Sequence, residues 1–305
     1  MIEGDIELVC IEDIGYFFLK DDKAYARLRP KHGEVILDYE PRAFAHNLAG
    51  IQNRFRETRD MGLFGNLLTA WGGAPDIFDV GVHVGRWSLP LALFQQQAGL
   101  DSRFYLFEPG RTAALLPFTI EINQLANVEL VEAIVSDYAG IGSLRFDPAE
   151  LVSARAYKPD HPHISRLCRV TNLDLIRSKS RRARPALVKI DTEGHEVAVL
   201  LGAKKLIEEG QFVITLEYRD WLMNVGREVL NELFQQSHVF DLGENMVVPY
   251  IVHVDELEGH FKRVSEPRLR TGQTDLLFIS KRIPNAQALI DVVQSHPKYE
   301  APVNA

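Results

Sequence analysis

The stretch that decides the fold is Asp76–Ser88, D-I-F-D-V-G-V-H-V-G-R-W-S. A short apolar run ends at an acidic residue, Asp79, and two glycines follow it, Gly81 and Gly85. Glycine lets the backbone take positive φ and lets a ligand approach the main chain closely. The pattern therefore predicts a buried strand, a tight turn and the beginning of a helix, which together open a βαβ unit.

Short apolar runs continue to alternate with longer amphipathic segments after this turn, as expected of a parallel sheet covered by helices. Seven strands are predicted: Ile77–Val80, Phe104–Phe107, Val128–Val131, Ala186–Ile190, Phe212–Leu216, Val239–Leu242 and Asp275–Ile279. Helices are predicted over Phe44–Leu63, Trp87–Ala98, Glu196–Glu209 and Arg227–Gln236. The final two strands are joined by a long segment that contains two prolines and no evident helix. We therefore predict an antiparallel final pair on an otherwise parallel sheet.

Three segments are predicted along the chain. Residues 1–75 form an N-terminal extension of strands and a helix, for which a role as a substrate cap or an oligomerisation element is expected. Residues 76–283 form an α/β, Rossmann-like domain with a seven-stranded, mostly parallel sheet and an antiparallel last strand. Residues 284–305 form a C-terminal tail whose end is expected to fray.

The composition of the 305-residue chain is that of a protein with a real core, with 46% hydrophobic and 25% charged residues. A net charge of -8 argues against nucleic acid or an anionic membrane as a partner. Only Cys10 and Cys168 are present, so no disulfide framework or cysteine zinc site is expected. The acidic N-terminus does not resemble a signal peptide, and no apolar run reaches the ~18 residues of a membrane span. The expectation is a soluble cytoplasmic protein whose oligomeric state the sequence does not indicate.

The turn after the first strand differs from a dinucleotide fingerprint, because it has the form D-x-G-x-x-x-G instead of G-x-G-x-x-G. The carboxylate of Asp79 would repel a pyrophosphate at short range. A ligand that carries both an ammonium and a carboxylate suits the turn better, with its carboxylate at the helix end and its ammonium near Asp79. The methionine part of S-adenosylmethionine is such a ligand. A tight turn without a ligand is the alternative.

Acidic residues also follow the next two strands. Glu108 ends the second strand, where a carboxylate can accept hydrogen bonds from both ribose hydroxyls of an adenosine cofactor. Glu132 and Ala133 follow the third strand, where an adenine ring would be edged by backbone and side chain. The alternative is that Glu108 and Glu132 are solvated surface carboxylates.

Together these segments resemble the FkbM family of methyltransferases. Val188–Ala203, V-K-I-D-T-E-G-H-E-V-A-V-L-L-G-A, is similar to the family signature K-I-D-x-E-G-x-E-x-x-V-L-x-G-A. D-V-G-V-H-V-G resembles its D-V-G-A-N-x-G, and F-E-P at Phe107–Pro109 matches its F-E-P. Weaker similarities are E-I-N at Glu121–Asn123, S-D with a later glycine at Ser136–Gly142, and V-T-N-L-D at Val170–Asp174. The sequence departs from the family pattern at Val82, His83 and Asn172.

The resemblance implies a class I methyltransferase fold, S-adenosylmethionine as the cofactor, and transfer of a methyl group to an oxygen. The acceptor in the family is typically a hydroxyl of a sugar, a glycan or another secondary metabolite. By their match to the family turn, Asp79, Gly81, His83 and Gly85 are candidate cofactor-binding residues, together with Glu108, Glu132, Ala133 and Asp191. His83 stands where the family usually has asparagine, which puts its contact with the cofactor's methionine end in question.

Three carboxylates are the catalytic candidates. Asp191 and Glu193 lie just beyond the fourth strand, and Glu217 ends the fifth strand at the same edge of the sheet. A hydroxyl acceptor benefits from a general base, and Asp191 or Glu193 could serve. Alternatively, all three could hold a hard cation such as Mg²⁺ that binds the acceptor hydroxyls. For Asp191, Glu193 and Glu196, the remaining alternative is simple stabilisation of a helix N-terminus.

Two other functions stay open at this point. A nicotinamide-dependent oxidoreductase shares the ribose-binding acid, although no hydride-transfer Tyr-Lys or His pair is evident. A non-catalytic binding protein with a methyltransferase fold is the other alternative, because of the substitutions at Val82 and His83. The acceptor pocket is expected to be built from residues 1–75 and 140–170, which contain no readable motif.

Overall fold

A computed structural model describes most of the chain, which divides into two compact units. The first unit comprises residues 1–68, 74–134 and 140–170, and the second comprises residues 69–73, 135–139 and 171–305. The residues described are 9–11, 15–20, 23–28, 35–39, 56–72, 74–114, 116–146, 164–179, 184–219, 222–242, 246–247, 256, 259 and 273–296.

The first unit opens with a four-stranded antiparallel sheet in the order β1-β2-β3-β4. Its strands are β1 Val9–Ile11, β2 Gly15–Lys20, β3 Lys23–Leu28 and β4 Val35–Tyr39. Helix α1 follows over Arg56–Trp71 and buries Leu63, Phe64, Leu67 and Leu68 along one stripe. The predicted helix over Phe44–Leu63 is therefore seen only from residue 56, and it extends further along the chain than predicted. Residues 44–55 lie outside the described part.

The candidate cofactor region of the first unit is a βαβαβ segment. Its elements are β5 Asp76–Val80, α2 Ser88–Gln97, β6 Arg103–Phe107, α3 Leu116–Ile122 and β7 Val128–Val131. Strands β5, β6 and β7 pair in parallel, with Val80 opposite Phe107 and Phe107 opposite Val131. All residues of β5 are buried, as an apolar strand covered on both faces requires. Three further strands complete the region, β8 Ile134–Val135, β9 Gly140–Phe146 and β10 Ile164–Thr171, and β9 and β10 form an antiparallel pair.

The second unit contains a mixed sheet in the order β14-β13-β15-β12-β11. The strands are β11 Ala186–Ile190, β12 Phe212–Arg219, β13 Ser237–Asp241, β14 Met246–Val247 and β15 Gln273–Ser280. Strands β11 and β12 are parallel, whereas β15 is antiparallel to both β12 and β13. The last strand along the chain therefore lies between two strands that precede it.

The helices of the second unit differ from the prediction. One predicted helix is divided into two, and some helices are present that were not predicted. They are α4 Leu173–Lys179, α5 Glu196–Leu201, α6 Lys204–Glu209, α7 Leu222–Gln236 and α8 Ala286–Ser295. The prediction of a single helix over Glu196–Glu209 is wrong, because the helical conformation is interrupted at Gly202. A Cβ atom at that position would lie 2.0 Å from the carbonyl oxygen of Ser136, so only glycine permits this close approach.

Helix α8 was not predicted. It buries Leu289, Ile290 and Val293, and Asn285 just before it donates from Nδ2 to the carbonyl oxygens of Ala70 and Trp71. The segment after Pro284 is thus ordered as far as residue 296. Residues 297–305 lie outside the described part, so fraying there remains a prediction.

The predicted fold class is confirmed: the chain is an α/β protein with a Rossmann-like, mostly parallel sheet and an antiparallel last strand. The two-residue strand β14 is an addition to the seven strands predicted. The domain boundaries at residues 75 and 284 remain predictions. Of the helices described, none combines the length and the apolar character needed to cross a membrane.

Candidate functional site

The turn after β5 is held by backbone hydrogen bonds to the end of β6. The N–H groups of Gly81 and Val82 both donate to the carbonyl oxygen of Phe107, at 3.0 and 3.2 Å, and Gly85 donates to Val82 at 2.8 Å. Gly81 and Gly85 have φ values of 86° and 81°, in the left-handed region that favours glycine. These hydrogen bonds fix the shape of the turn, so the turn is preformed.

His83 is the one non-glycine residue of this turn with a left-handed backbone, at φ 53°. Asparagine, aspartate and histidine are the side chains most often found there. The backbone N–H of His83 donates to Oε2 of Glu108 at 2.8 Å, and Oε1 of Glu108 accepts from Gly110 at 2.6 Å. Replacement of the family asparagine by histidine therefore preserves the backbone, and Glu108 locks the turn to the end of β6.

Two buried acids lie on β5. Asp79, near the carboxyl end of the strand, and Asp76, at its beginning, are each only 1% exposed. Asp79 thus places a buried carboxyl group next to the turn. Helix α2 begins at Ser88 without a side-chain cap and without an acidic residue in its first turn, which leaves its positive dipole end suited to an anion.

The residues predicted to edge an adenine ring differ in environment. Ala133 is fully buried, whereas Glu132 is about half exposed and pairs with Arg166 on β10. A surface ion pair of this kind contributes little to stability. The adenine-edge role of both residues stays a prediction.

The acidic cluster of the second unit, Asp191, Glu193 and Glu217, is brought together as predicted. The structure also reveals two cations that the sequence analysis missed. Nζ of Lys189 lies 2.8 Å from Oδ2 of Asp191. Arg219 lies between the two glutamates, with its Nη2 atom 2.6 Å from Oε2 of Glu193 and 3.1 Å from Oε2 of Glu217.

A simple sequence signal could have found both cations. Each lies two residues from an acid of the cluster, and residues i and i+2 of a strand lie on the same face of its sheet. Arg219 is related in this way to Glu217, and Lys189 at the end of β11 is related to Asp191 just beyond it.

Glu217 does not end its strand, as the sequence had suggested, because β12 continues to Arg219 and pairs Glu217 with Asp275 of β15. The residue is only 7% exposed. Burial, with a further contribution from the neighbouring Asp191, raises the pKa of Glu217 to about 8, and Arg219 acts in the opposite direction. Near neutral pH this carboxyl is therefore mostly protonated.

The three acids have one oxygen each within 4.8 Å of one another, which is close enough for a single cation. Two of the three acids pair with cations, and a fourth acid, Asp275, lies beside Glu217. Lys189 and Arg219 offset Asp191 and Glu193, and a protonated Glu217 adds no charge. A cation at this place would have to compete with Lys189 and Arg219 for Asp191 and Glu193.

The loop between β11 and α5 is organised by Glu196. This side chain is fully buried, and its Oε1 accepts from the backbone N–H and the hydroxyl of Thr192, at 3.1 and 3.0 Å, and from the backbone N–H of Gly194, at 2.9 Å. Stabilisation of a helix dipole is therefore only part of what Glu196 does.

His195 is held by a different contact. Its Nε2 lies 3.0 Å from Oγ of Ser136, which donates to Oδ1 of Asp137 and can therefore accept from a protonated Nε2. Burial lowers the pKa of His195, against the opposing effect of Glu196 and Asp137.

The fold defines the class of protein: an α/β protein with a Rossmann-like, mostly parallel sheet. Residues 79–242, more than half of the chain, match the family model of the methyltransferase FkbM domain. The chain belongs to this family.

Solved structures with similarity to this chain include a methyltransferase FkbM from Methylobacillus flagellatus, at 14% identity and a TM-score of 0.42. The match covers 67% of this chain and 43% of that one. The bifunctional kinase-methyltransferase WbdD gives 13% identity and a TM-score of 0.40, over 74% of this chain and 39% of that one. This chain therefore spans less than half the length of either protein. A comparison with curated proteins gives no match.

A third structure is a COG1565 superfamily member from Burkholderia thailandensis, described as a likely methyl transferase bound to S-adenosyl-homocysteine. It gives 8% identity and a TM-score of 0.26, and the match covers 78% of this chain and 60% of that one.

Proposed function

We propose that this protein is an S-adenosylmethionine-dependent methyltransferase that methylates a hydroxyl oxygen of a sugar, a glycan or a related secondary metabolite. The observation that carries the proposal is the preformed turn after β5, at the beginning of the stretch that matches the FkbM family model. The turn combines a buried acid, two left-handed glycines and an acid from the next strand. Each of these would contribute to binding this cofactor.

Different residues of the first unit would bind different parts of the cofactor. The uncapped N-terminus of α2 would take the carboxylate of the methionine moiety. Asp79, being buried, would attract the ammonium and the sulfonium mainly through its field. Glu108 uses one acceptor site on each oxygen for the backbone, and a carboxylate has about four such sites in all. At the end of β6, this carboxylate would also accept from the ribose hydroxyls.

S-adenosylmethionine, when bound, supplies a sulfonium methyl group that an acceptor lone pair attacks in line. The protein must hold the acceptor in that line, exclude water and accept the hydroxyl proton. Among the three acids, Glu217 has its pKa raised to about 8, close to the pH at which a general base is most effective. We assign the proton to Glu217, with Asp191 and Glu193 as hydrogen-bond acceptors that orient the acceptor hydroxyls.

The charge of the acidic cluster indicates the kind of acceptor. Lys189 and Arg219 pair with Asp191 and Glu193, and Asp275 adds a further carboxylate beside Glu217, so an acidic sugar would meet mainly carboxyl groups here. A neutral polyol satisfies such a site, because carboxylate and carboxyl oxygens can accept from its hydroxyls. Neutral sugars should thus be preferred to their uronic acid counterparts.

The first test concerns the cofactor. Calorimetric titration of the full chain with S-adenosylmethionine and, separately, with NAD should show binding of the former only. Binding of NAD alone would favour an oxidoreductase. Failure of both ligands to bind at millimolar concentration would leave a non-catalytic protein with a methyltransferase fold.

The role of Asp79 has a matched control on the same strand. Asp79→Asn removes the charge with little change of shape, and it should weaken S-adenosylmethionine binding by about tenfold or more. Asp76→Asn removes a charge of equal burial from the other end of β5 and should leave the affinity unchanged. Equal effects of the two substitutions would refute the assignment.

The role of Glu217 is tested by single-turnover methylation, after neutral sugars and uronic acids have been screened for formation of S-adenosylhomocysteine. Glu217→Gln should slow the chemical step by about 10²–10⁴, which is the usual contribution of a general base. Asp191→Asn and Glu193→Gln should have smaller effects. The wild-type rate should rise with pH up to about 8 as Glu217 loses its proton. An unchanged rate in Glu217→Gln would return the role to Asp191 or Glu193.

A further inference from the structure

Glu193 has an unusual backbone conformation for a charged residue. Its φ is 54°, in the left-handed region, and Gly194 follows with φ 123°. A non-glycine residue in that region is disfavoured, because its Cβ atom comes too close to a backbone carbonyl oxygen. The conformation therefore needs support from neighbouring groups, and the backbone of Glu193 itself does not supply it.

The support comes from Glu196. Its buried Oε1 accepts three hydrogen bonds, two from Thr192 and one from Gly194, which are the residues on either side of Glu193. The chain before and after Glu193 is thus tied to a single atom, and the turn between has little freedom.

The side chain of Glu193 is directed in turn to a cation. Its Oε2 lies 2.6 Å from Nη2 of Arg219, and the same Nη2 lies 3.1 Å from Oε2 of Glu217. The hydrogen bonds of Glu196 go to Thr192 and Gly194 instead, so its influence on Arg219 passes through the turn.

We propose that Glu196 is a positioning residue: by holding the Thr192–Gly194 turn, it fixes Glu193 in its left-handed conformation and sets the Glu193–Arg219–Glu217 arrangement. Its importance for catalysis rests on the proposed function, since Glu193 and Glu217 are candidate catalytic groups only there. The effect of Glu196 on the turn and on Arg219 requires neither cofactor nor acceptor.

The test combines amide hydrogen exchange with NMR of the Arg219 guanidinium, on the full chain without ligands. Glu196→Met keeps the length of the side chain and removes its acceptors. Exchange at Thr192 and Gly194 should become about tenfold faster, because the open state gains population. Rotation of the Arg219 guanidinium should accelerate by a similar factor. Glu196→Gln keeps an acceptor oxygen, and we expect rotation within about twofold of the wild-type rate.

A matched control separates positioning from general loss of stability. Asp174 also accepts two backbone N–H bonds in this unit, from Lys205 and Leu206 at the start of α6. Asp174→Ala should lower the melting temperature without changing the Arg219 signal. Rotation of the Arg219 guanidinium at the wild-type rate in Glu196→Met would overturn the proposal. Equal acceleration of that rotation in Asp174→Ala would overturn it as well.

A milder variant covers the case in which Glu196→Met does not fold. Thr192→Val is nearly isosteric and removes one of the three donors to Glu196, so exchange at Gly194 should rise about threefold. Unchanged exchange in this variant would also overturn the proposal. Because no ligand is used, failure of S-adenosylmethionine to bind would remove the proposed function and leave this result intact.

Discussion

The turn after β5 and the acidic cluster of the second unit are built in different ways. The turn is shaped by backbone: the main-chain N–H groups of Gly81, Val82 and Gly85 bond to main-chain oxygens, and the main-chain N–H of His83 bonds to Glu108. The acidic cluster is instead an arrangement of charged side chains around Arg219. The residue type at each position of the turn is therefore limited by backbone conformation. In the cluster, the residue type is limited by charge.

This difference determines which substitutions each site tolerates. A turn defined by φ values accepts any residue that can adopt them, which is why His83 can replace asparagine. A cluster in which charges pair with one another is sensitive even to isosteric replacement, because removal of one partner leaves another uncompensated.

The largest effect is expected at Gly85. Gly85→Ala must hold a side chain at φ 81°, with its Cβ atom 2.5 Å from Cδ1 of the buried Leu89. Strain and overpacking together should lower the free energy of unfolding by about 2–4 kcal/mol, measured by urea denaturation. Gly99→Ala is the control, because its φ is 67° but nothing lies within 4 Å, so it should lose only about 1 kcal/mol. Equal losses of unfolding free energy in the two variants would show that packing at Gly85 is unimportant.

A comparable effect that depends on pH is expected at Glu217. The pKa of Glu217 is about 8 in the folded protein and has an ordinary value of 4.5. Between these values the folded state binds a proton that the unfolded state does not, so stability falls as pH rises. Glu217→Gln should remove this fall, which is on the order of a few kcal/mol between pH 5 and pH 8. Thermal unfolding of both proteins across that range measures it, and parallel curves would contradict the raised pKa.

A smaller effect is expected at His83. His83→Val places a β-branched residue at φ 53° and should lower stability by about 1–2 kcal/mol. His83→Asn should be nearly neutral and should bind S-adenosylmethionine as the wild type does. If asparagine and valine have the same effect on the melting temperature, the backbone explanation of this position is wrong.

The smallest effect is expected from removal of divalent cations. Because Lys189 and Arg219 already pair with Asp191 and Glu193, addition of EDTA should leave methyl transfer within about twofold of its rate. Loss of activity on chelation, with recovery on addition of Mg²⁺, would show that the cluster binds a cation after all.

The sequence predicted the fold well, because the information is local. Each strand is a short apolar run, and the turn after β5 is specified by its own glycines and by the acid before them. Helix ends were less predictable where the cause is distant in sequence. The break at Gly202 depends on Ser136, which is far away along the chain. Helix α8 was missed because its apolar stripe follows a proline in a segment expected to be a tail.

The acidic cluster was predicted in part. Asp191, Glu193 and Glu217 were identified from their positions after strands, but their partners Lys189 and Arg219 lie within or at the ends of strands that were read only for their apolar residues. The raised pKa of Glu217 also required burial, which a sequence does not display. The location in the cell and the absence of nucleic-acid or membrane partners stay predictions.

Asn172, at the third departure from the family pattern, has a local explanation. Its Oδ1 accepts from the backbone N–H of Leu175 at 2.8 Å, at the beginning of α4. Asparagine and threonine are both favourable N-caps. The substitution therefore exchanges one capping side chain for another and does not weaken the case for family membership.

The position of β15 affects how the protein is made. Because β15 pairs with both β12 and β13, the sheet of the second unit cannot close until residues 273–280 have left the ribosome. Until then β12 and β13 each lack a neighbour, and unpaired strand edges promote aggregation. Synthesis of this protein should accordingly depend on chaperones more than its size suggests, and chains that stop before Gln273 should accumulate as insoluble material.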